Sequence, residues 1–449
     1  MKFNKNELAD FARYYGFHFD ICDSKTLVND FLMDAKRGLA GKSSYMPMIP
    51  AYLKPPSSVP AGKKVLALDA GGTNLRAACV HFDGEGKAVI EGLVKVPMPG
   101  SKGRLNADEF YNAIAGVCAP LLEAHPGLSG MGFCFSYPME ITKESDGIPL
   151  AFSKEIDAPE VTGKPVGAGL KAALKRRGVP TPDHIVLLND TVATLLTGAA
   201  QIPALRPSKL EAVPAKCCPP APGPVVGLIL GTGFNIAYPE ICIPKLGGVG
   251  QTPQIIVTES GNFHFRYQGL LDKQFDAQTK SPGAYTAEKA MAGAYLGGLT
   301  MCVFKKAVDD GLLSFRKQDE FLAMENLQTR DLNAFLHAPL SGEGLGALFD
   351  VDETDAIAAA VYLAGIITER AGLLCAALTA GTVITMNAAH PLAPVRIAVE
   401  GTTYLVYHFI RESFEARLRS ILASYDIYDY LVTPVDQASL IGAAVAALG

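Results

Sequence analysis

Apolar residues along this chain gather into short runs that stop on small or acidic polar residues, and those stops mark where strands end. Residues 65–79, VLALDAGGTNLRAAC, run apolar to Asp69, turn at Gly71 and Gly72, and resume after Thr73, Asn74 and Arg76. That pattern predicts a strand, a tight glycine turn and a second strand. Residues 225–238, VVGLILGTGFNIAY, repeat it around Gly231, Thr232 and Gly233. Residues 185–195, IVLLNDTVATL, read as a strand closing on Asn189 and Asp190, followed by helical spacing. Residues 132–138, GFCFSYP, and 399–403, VEGTT, read as strands whose ends carry Ser136 and the pair Gly401 and Thr402.

The same reading extends outward. Residues 65–97 give three strands, with Asp83, Gly84, Glu85 and Gly86 turning between the second and third. A helix is expected over 107–123, further strands over 254–258 and 396–400, and long helices over 284–308 and 354–378. The Pro-rich stretch 203–224 is expected to be a surface loop.

With 449 residues, the chain exceeds what one core usually supports, and 49% hydrophobic content can fill two lobes. A net charge of −5 lacks the basic footprint of a nucleic-acid partner. The nine cysteines, at 22, 79, 118, 134, 217, 218, 242, 302 and 375, fall mostly in apolar runs without a paired CxxC spacing, so reduced, buried thiols are expected. Charges interrupt every apolar cluster of the first 17 residues, and no long apolar anchor is read elsewhere, so a cytoplasmic protein without a membrane partner is expected.

Successive N–H groups in a glycine turn form an anion-binding concavity, and Asp69 sets a carboxylate beside it for a metal or its waters. No GxxxxGK[ST] occurs, and no GxGxxG opens a helix, so the phosphate loops built on those motifs are excluded. Taken singly, the Gly-Gly turn is also a plain hairpin turn, Asp190 also a helix cap, and Glu259 and Glu288 also solvated surface charges.

Read together and in order, the motifs resemble those of the hexokinase family, within the sugar kinases and actin-like ATPases. The family reads LDLGGTNFR, FSFP, NDTVGT or NDTVAT, and GTGTNACY where this chain has LDAGGTNLR, FSYP, NDTVAT and GTGFNIAY. DAKRGL and SYMPMIP before the first motif, TESGNF and SPGAYTAEKAMAGAYLG after the last, and SLIGAA at the C-terminus are similar to further family segments. The resemblance implies a two-lobed actin-like (ribonuclease-H-like) α/β fold. Its lobes would be 62–188 with the C-terminal helix 436–449, and 189–435, with 1–61 a helical segment packing mainly on the larger lobe.

It also implies an ATP-dependent hexokinase acting on a hexose, glucose first, as monomer or homodimer. Asp190 would be the catalytic base and Lys154 would stabilise charge. Ser136, Ser153, Lys154, Asn189, Asn235, Glu259 and Glu288 would hold the sugar. Asp69 would orient Mg²⁺ through water, and Gly71, Gly72, Thr73, Asn74 and Arg76 would surround the terminal phosphates. Gly231, Thr232, Gly233, Gly401 and Thr402 would meet the other phosphates, with Ser439 and Gly442 nearer the base. The chain departs from the family where TEWGAF has become TESGNF, where Ser153 replaces Thr, and over 241–254. A sugar-binding regulator of the same fold without activity, and an actin-like filament protein, remain alternatives at this stage.

Overall fold

The computed structural model describes residues 2–56, 59–72, 74–152, 156–205, 207, 223–247 and 252–449. Its first short strand, β1 (Ile49–Pro50), belongs to a sheet formed much later in the chain. The apolar run before Asp69 is β2 (Val65–Gly71), which continues through the glycine turn into β3 (Asn74–Phe82) and then β4 (Ala88–Pro97). β5 (Met131–Phe135) follows the helix Ala107–Ala124. The chain then makes a small hairpin, β6 (Met139–Ile141) and β7 (Gly147–Pro149), before β8 (Ile185–Leu188). The sheet order is β4-β3-β2-β5-β8, with β2 antiparallel to β3, β3 antiparallel to β4, and β5 parallel to both β2 and β8.

A second sheet repeats this plan. β9 (Val225–Leu230), β10 (Phe234–Glu240), β11 (Gln254–Val257), β12 (Val395–Glu400) and β13 (Tyr430–Pro434) stand in the order β11-β10-β9-β12-β13, extended at one edge by β1. β10 runs antiparallel to β9 and β11, and β12 parallel to β9 and β13. The two sheets thus share strand order and pairing sense although their sequences show no close repeat. In each, the central strand is buried on both faces and apolar, β2 as far as Asp69 and β9 throughout. β4, at an edge, is nowhere fully buried and exposes Gly92, Leu93, Lys95 and Pro97, with Lys95 and the closing proline discouraging further pairing.

Two helices lie between the sheets. Asp190–Gln201 packs on β9 and β12, Ala438–Leu448 packs on β2 and β5, and the two helices pack on each other. A β-carbon on Gly442 would stand 2.1 Å from the carbonyl oxygen of Ala193, so only glycine lets these helices cross this closely. Val192, Leu195, Leu440, Ile441 and the inner faces of both sheets form one buried apolar layer there. The helix Thr354–Ala389 threads the larger core, joined by Leu8, Phe11, Leu27 and Phe31 from the N-terminal helices Lys5–Tyr14 and Ser24–Leu39.

Three expectations are corrected. The helix expected over 284–308 is two, Thr286–Met291 and Leu296–Asp309, separated by an extended Ala292. In the break Gly293 and Ala294 donate backbone hydrogen bonds to the carbonyls of Gly231 (2.8 Å) and Thr232 (3.0 Å), so the helix is interrupted to brace the second glycine turn. The absence of a long apolar segment does not hold by length and composition, because the 36-residue helix Thr354–Ala389 could cross a membrane on those grounds. In this fold 67% of its most apolar window is buried inside the protein, and it serves as a core helix. Among the described residues the cysteines are free and buried except Cys242, which is exposed. Cys217, Cys218 and most of 203–224 lie outside the described residues.

Candidate active site

A cavity of about 940 Å³ opens between the two sheets and is lined by the ends of their strands. Its walls collect the turn residues Asp69, Gly71, Gly72 and Arg76, then Ser136, then Asn189 and Asp190. From the strands of the second sheet and the turns that follow them come Gly231, Thr232, Gly233, Asn235, Glu259, Gly401 and Thr402, with Glu288 from the helix Thr286–Met291 and Ser439 from the C-terminal helix. Residues spread over 370 positions of sequence meet because strand ends of both sheets face the same cleft, where α/β sheets gather their ligand sites, and the helices Thr286–Met291 and Ala438–Leu448 bring Glu288 and Ser439 to it.

The first glycine turn joins Gly71 to its strand partner Asn74, and Gly72 has φ +67°, a left-handed value that glycine adopts freely. The hydroxyl of Tyr137 donates to the Gly72 carbonyl at 3.0 Å, so the Tyr of FSYP clamps the turn from the neighbouring strand. Asp69 and Arg76 face each other across the hairpin register. Arg76 Nε donates to Asp69 Oδ2 at 2.7 Å and a second guanidinium nitrogen pairs with the same oxygen. Arg76 also reaches Gln437 Oε1 at 3.3 Å, linking the hairpin to the C-terminal helix. Burial raises the Asp69 carboxyl above its ordinary range, and the Arg76 charge pulls it back.

Asn189 caps the helix Asp190–Gln201, its Oδ1 accepting from the Val192 N–H at 2.9 Å. Asp190 is the first helical residue, and its Oδ1 accepts from the Thr191 N–H at 2.8 Å. The cap therefore leaves the Asp190 carboxylate at the positive end of the helix, on the cavity wall.

The opposite wall is a buried carboxylate–amide set. Asn235 Nδ2 donates to Glu259 Oε1 at 2.9 Å while its Oδ1 accepts from the Ile236 N–H at 2.9 Å. Glu259 holds a left-handed backbone (φ 55°), an unusual state for a residue with a side chain. Glu288 Oε2 accepts from the Phe234 N–H at 2.9 Å. A β-carbon on Gly233 would stand 2.8 Å from that oxygen, so this glycine makes room for Glu288. Burial raises the Glu259 carboxyl, and burial with the Glu259 charge behind it pushes Glu288 up to about 7.

Some expected residues stand elsewhere. Gly442 does not line the cavity, and its place is explained by the helix crossing at Ala193. Asn74 opens β3 opposite Gly71 and is not on the cavity wall. Thr73, Ser153 and Lys154 lie outside the described residues.

Sequence reasoning missed Glu400. It ends β12, lines the cavity, accepts from the Thr194 hydroxyl at 3.2 Å, and is pushed up to about 7 by burial and by Asp190. Its signal was present, since a carboxylate at the C-terminal end of a parallel strand beside Gly401 is the same pattern that singled out Asp190. Asp436 and Gln437 also line the wall and were not anticipated.

Family models described as hexokinase match residues 14–200 and 225–449. Hexokinase-1 of Schizosaccharomyces pombe is 28% identical over 445 residues, covering 92% of this chain and 85% of the relative. Hexokinase-2 of Candida albicans is 30% identical over 315 residues, which span 66% of this chain and only 60% of that protein. Among solved structures, the hexokinase of Schistosoma mansoni complexed with glucose aligns over 99% of this chain and 100% of its own, with a TM-score of 0.77 and 23% identity. That likeness shows the fold, including the doubled sheets of the two-lobed actin-like architecture.

Proposed function

The chain belongs to the hexokinase family, and from that premise we propose that it transfers the γ-phosphoryl group of ATP to the 6-hydroxyl of a hexose, glucose being the preferred sugar. The observation that carries this reading is the meeting, in one cleft, of a glycine-turn anion cradle with a separate set of buried carboxylates and amides. A polyphosphate alone would need the first and not the second.

The bonds already made assign what each side chain would offer. Asn189 spends its Oδ1 on the helix cap, so its amide N–H groups would face a sugar oxygen. Glu259 and Glu288 each accept a protein N–H on one oxygen and would accept sugar hydroxyls on the other. A ring of hydroxyls suits this wall, because each buried polar group left unpaired costs about 1–3 kcal/mol. Asp190 would accept the proton of the 6-hydroxyl as its oxygen attacks phosphorus, general-base help typically worth 10²–10⁴-fold. Ser153 and Lys154 would complete the sugar and charge contacts, as the family resemblance implies.

Six carboxylates line the cavity against one described cation, Arg76, which Asp69 already engages. A polyphosphate would not enter so acidic a cleft without a divalent cation, and Mg²⁺ keeps several waters and needs few protein ligands. Asp69 would hold it through water, and when bound the ion supplies charge neutralisation on the phosphates. The N–H groups of the two glycine turns would cradle those phosphates.

A coupled assay with a panel of hexoses and nucleotide donors tests the reading. Glucose with MgATP should give sugar phosphate, and Asp190→Asn should lower kcat at least 100-fold, within the general-base range, while calorimetry still detects glucose. Sugar binding without product for any donor would favour the inactive regulator. Sugar-independent ATP hydrolysis that ignores Glu259→Gln would favour the filament protein.

A further inference from the structure

We propose that Cys79, Glu91 and His125, with His81 beside them, form a second metal site that takes a divalent cation of the zinc class. Cys79 and Glu91 are direct partners in the β3–β4 register, next to an irregularity in the pairing between Ala77 and Cys79. His81 follows Cys79 by two residues and so shares its face of the strand. His125 is the residue that ends the helix Ala107–Ala124. The Cys79 thiol, a Glu91 carboxylate oxygen and a His125 ring nitrogen all lie within 4.8 Å of one another.

These groups converge without satisfying one another. Glu91 stands 3.7 Å from His81 Nδ1 and 4.0 Å from His125 Nδ1, both too long for a hydrogen bond. His81 Nδ1 is buried and has no hydrogen-bond partner, and Cys79 is fully buried. An orphaned imidazole nitrogen costs stability where it is, and a metal ion would supply the missing acceptor of its lone pair. Donors around a tetrahedral zinc lie about 3.5 Å apart, given bonds of about 2.0–2.3 Å. With Cys79, Glu91 and His125 within 4.8 Å of one another, closing these three on an ion therefore requires side-chain shifts of about 1 Å. Thiolate, imidazole and carboxylate together suit zinc and not the oxygen-loving Mg²⁺ of phosphoryl transfer.

Lys64 Nζ now donates to Glu91 Oε2 at 2.7 Å, and its half-exposed side chain can withdraw into solvent when a cation arrives. Binding releases the Cys79 proton to solvent. None of the four ligand candidates lines the sugar–nucleotide cavity. The site would instead tie the end of the helix Ala107–Ala124 to β3 and β4, bracing the first sheet.

The test uses the full chain with Co²⁺ as probe and no nucleotide. One equivalent should bind with a near-ultraviolet thiolate-to-cobalt band that Zn²⁺ abolishes. Cys79→Ser should remove the band, and Cys242→Ser, at the exposed thiol, should leave it. His125→Gln, at a partly exposed residue, should weaken Co²⁺ at least about 100-fold, since even outer-shell losses cost 10–100-fold, while glucose phosphorylation with Mg²⁺ stays unchanged. Zn²⁺ should also raise the melting temperature of the wild-type chain and not of His125→Gln. If Cys79→Ser does not fold, His125→Gln decides alone. Absence of a thiolate band, or unchanged affinity in His125→Gln, would overturn the proposal.

Discussion

Glu288 is the side chain whose charge state a sugar would change most. Free, it is pushed up to about 7 by burial and by the Glu259 charge. A sugar hydroxyl donating to its carboxylate favours the ionised form, so its pKa falls in the complex. Glucose binding near pH 7 should therefore release a fraction of a proton, less above pH 8 where the group is already ionised. Because the free protein binds more protons than the complex, apparent glucose affinity should rise as pH rises through about 7. Calorimetry in buffers of different ionisation enthalpy measures the release, and Glu288→Gln should abolish most of it. An unchanged release in that variant would assign the proton to another group, Glu400 being the next candidate.

At the level of elements, the glycines divide into those that face ligand and those that let elements meet. Gly72 turns the first hairpin, whereas Gly442 lets two helices cross. Gly442→Val should overpack the contact with Ala193, at a cost of about 1–3 kcal/mol or more. The melting temperature should fall, with the KM for ATP little changed in the folded protein. A large rise in KM at unchanged stability would return Gly442 to the nucleotide site. The resemblance placed this residue near the base because SLIGAA stands where the family has a glycine-rich helix start beside the adenine. Composition alone could not tell a helix-crossing glycine from a ligand-facing one, since both need only the absence of a β-carbon. The same limit concealed the break at 292–295, where apolar spacing continues as if helical while backbone N–H groups turn aside to Gly231 and Thr232.

Across the whole molecule, Asn189 and Asp190 stand where β8 of the first sheet enters the inter-sheet helix, whereas Asn235 stands on β10 of the second sheet, Glu259 just past the end of β11, and Glu288 on the helix Thr286–Met291. A hexose touching both sets bridges the two sheets and favours whichever arrangement brings them closer. The apolar layer of helices Asp190–Gln201 and Ala438–Leu448 is where such a motion would pivot. Glucose at saturation should shrink the radius of gyration seen by small-angle scattering, and Glu259→Gln should require more glucose to do so. An identical scattering profile with and without glucose would count against closure.

The local turns, the strand ends and their chemistry were legible in the residues, because apolar runs, glycine pairs and caps act over a few positions and leave their mark there. DAGGTN, NDTVAT and GTGFN each carry their own backbone instructions. Only the tertiary structure decided which of these ends share a cleft, because strand order is set by pairing between segments hundreds of residues apart. It alone added Glu400 to the wall, paired Asp69 with Arg76, and drew the Glu288 carboxyl up to about 7. Burial and neighbouring charge are properties of a neighbourhood, and the neighbourhood exists only once the two sheets have closed around it.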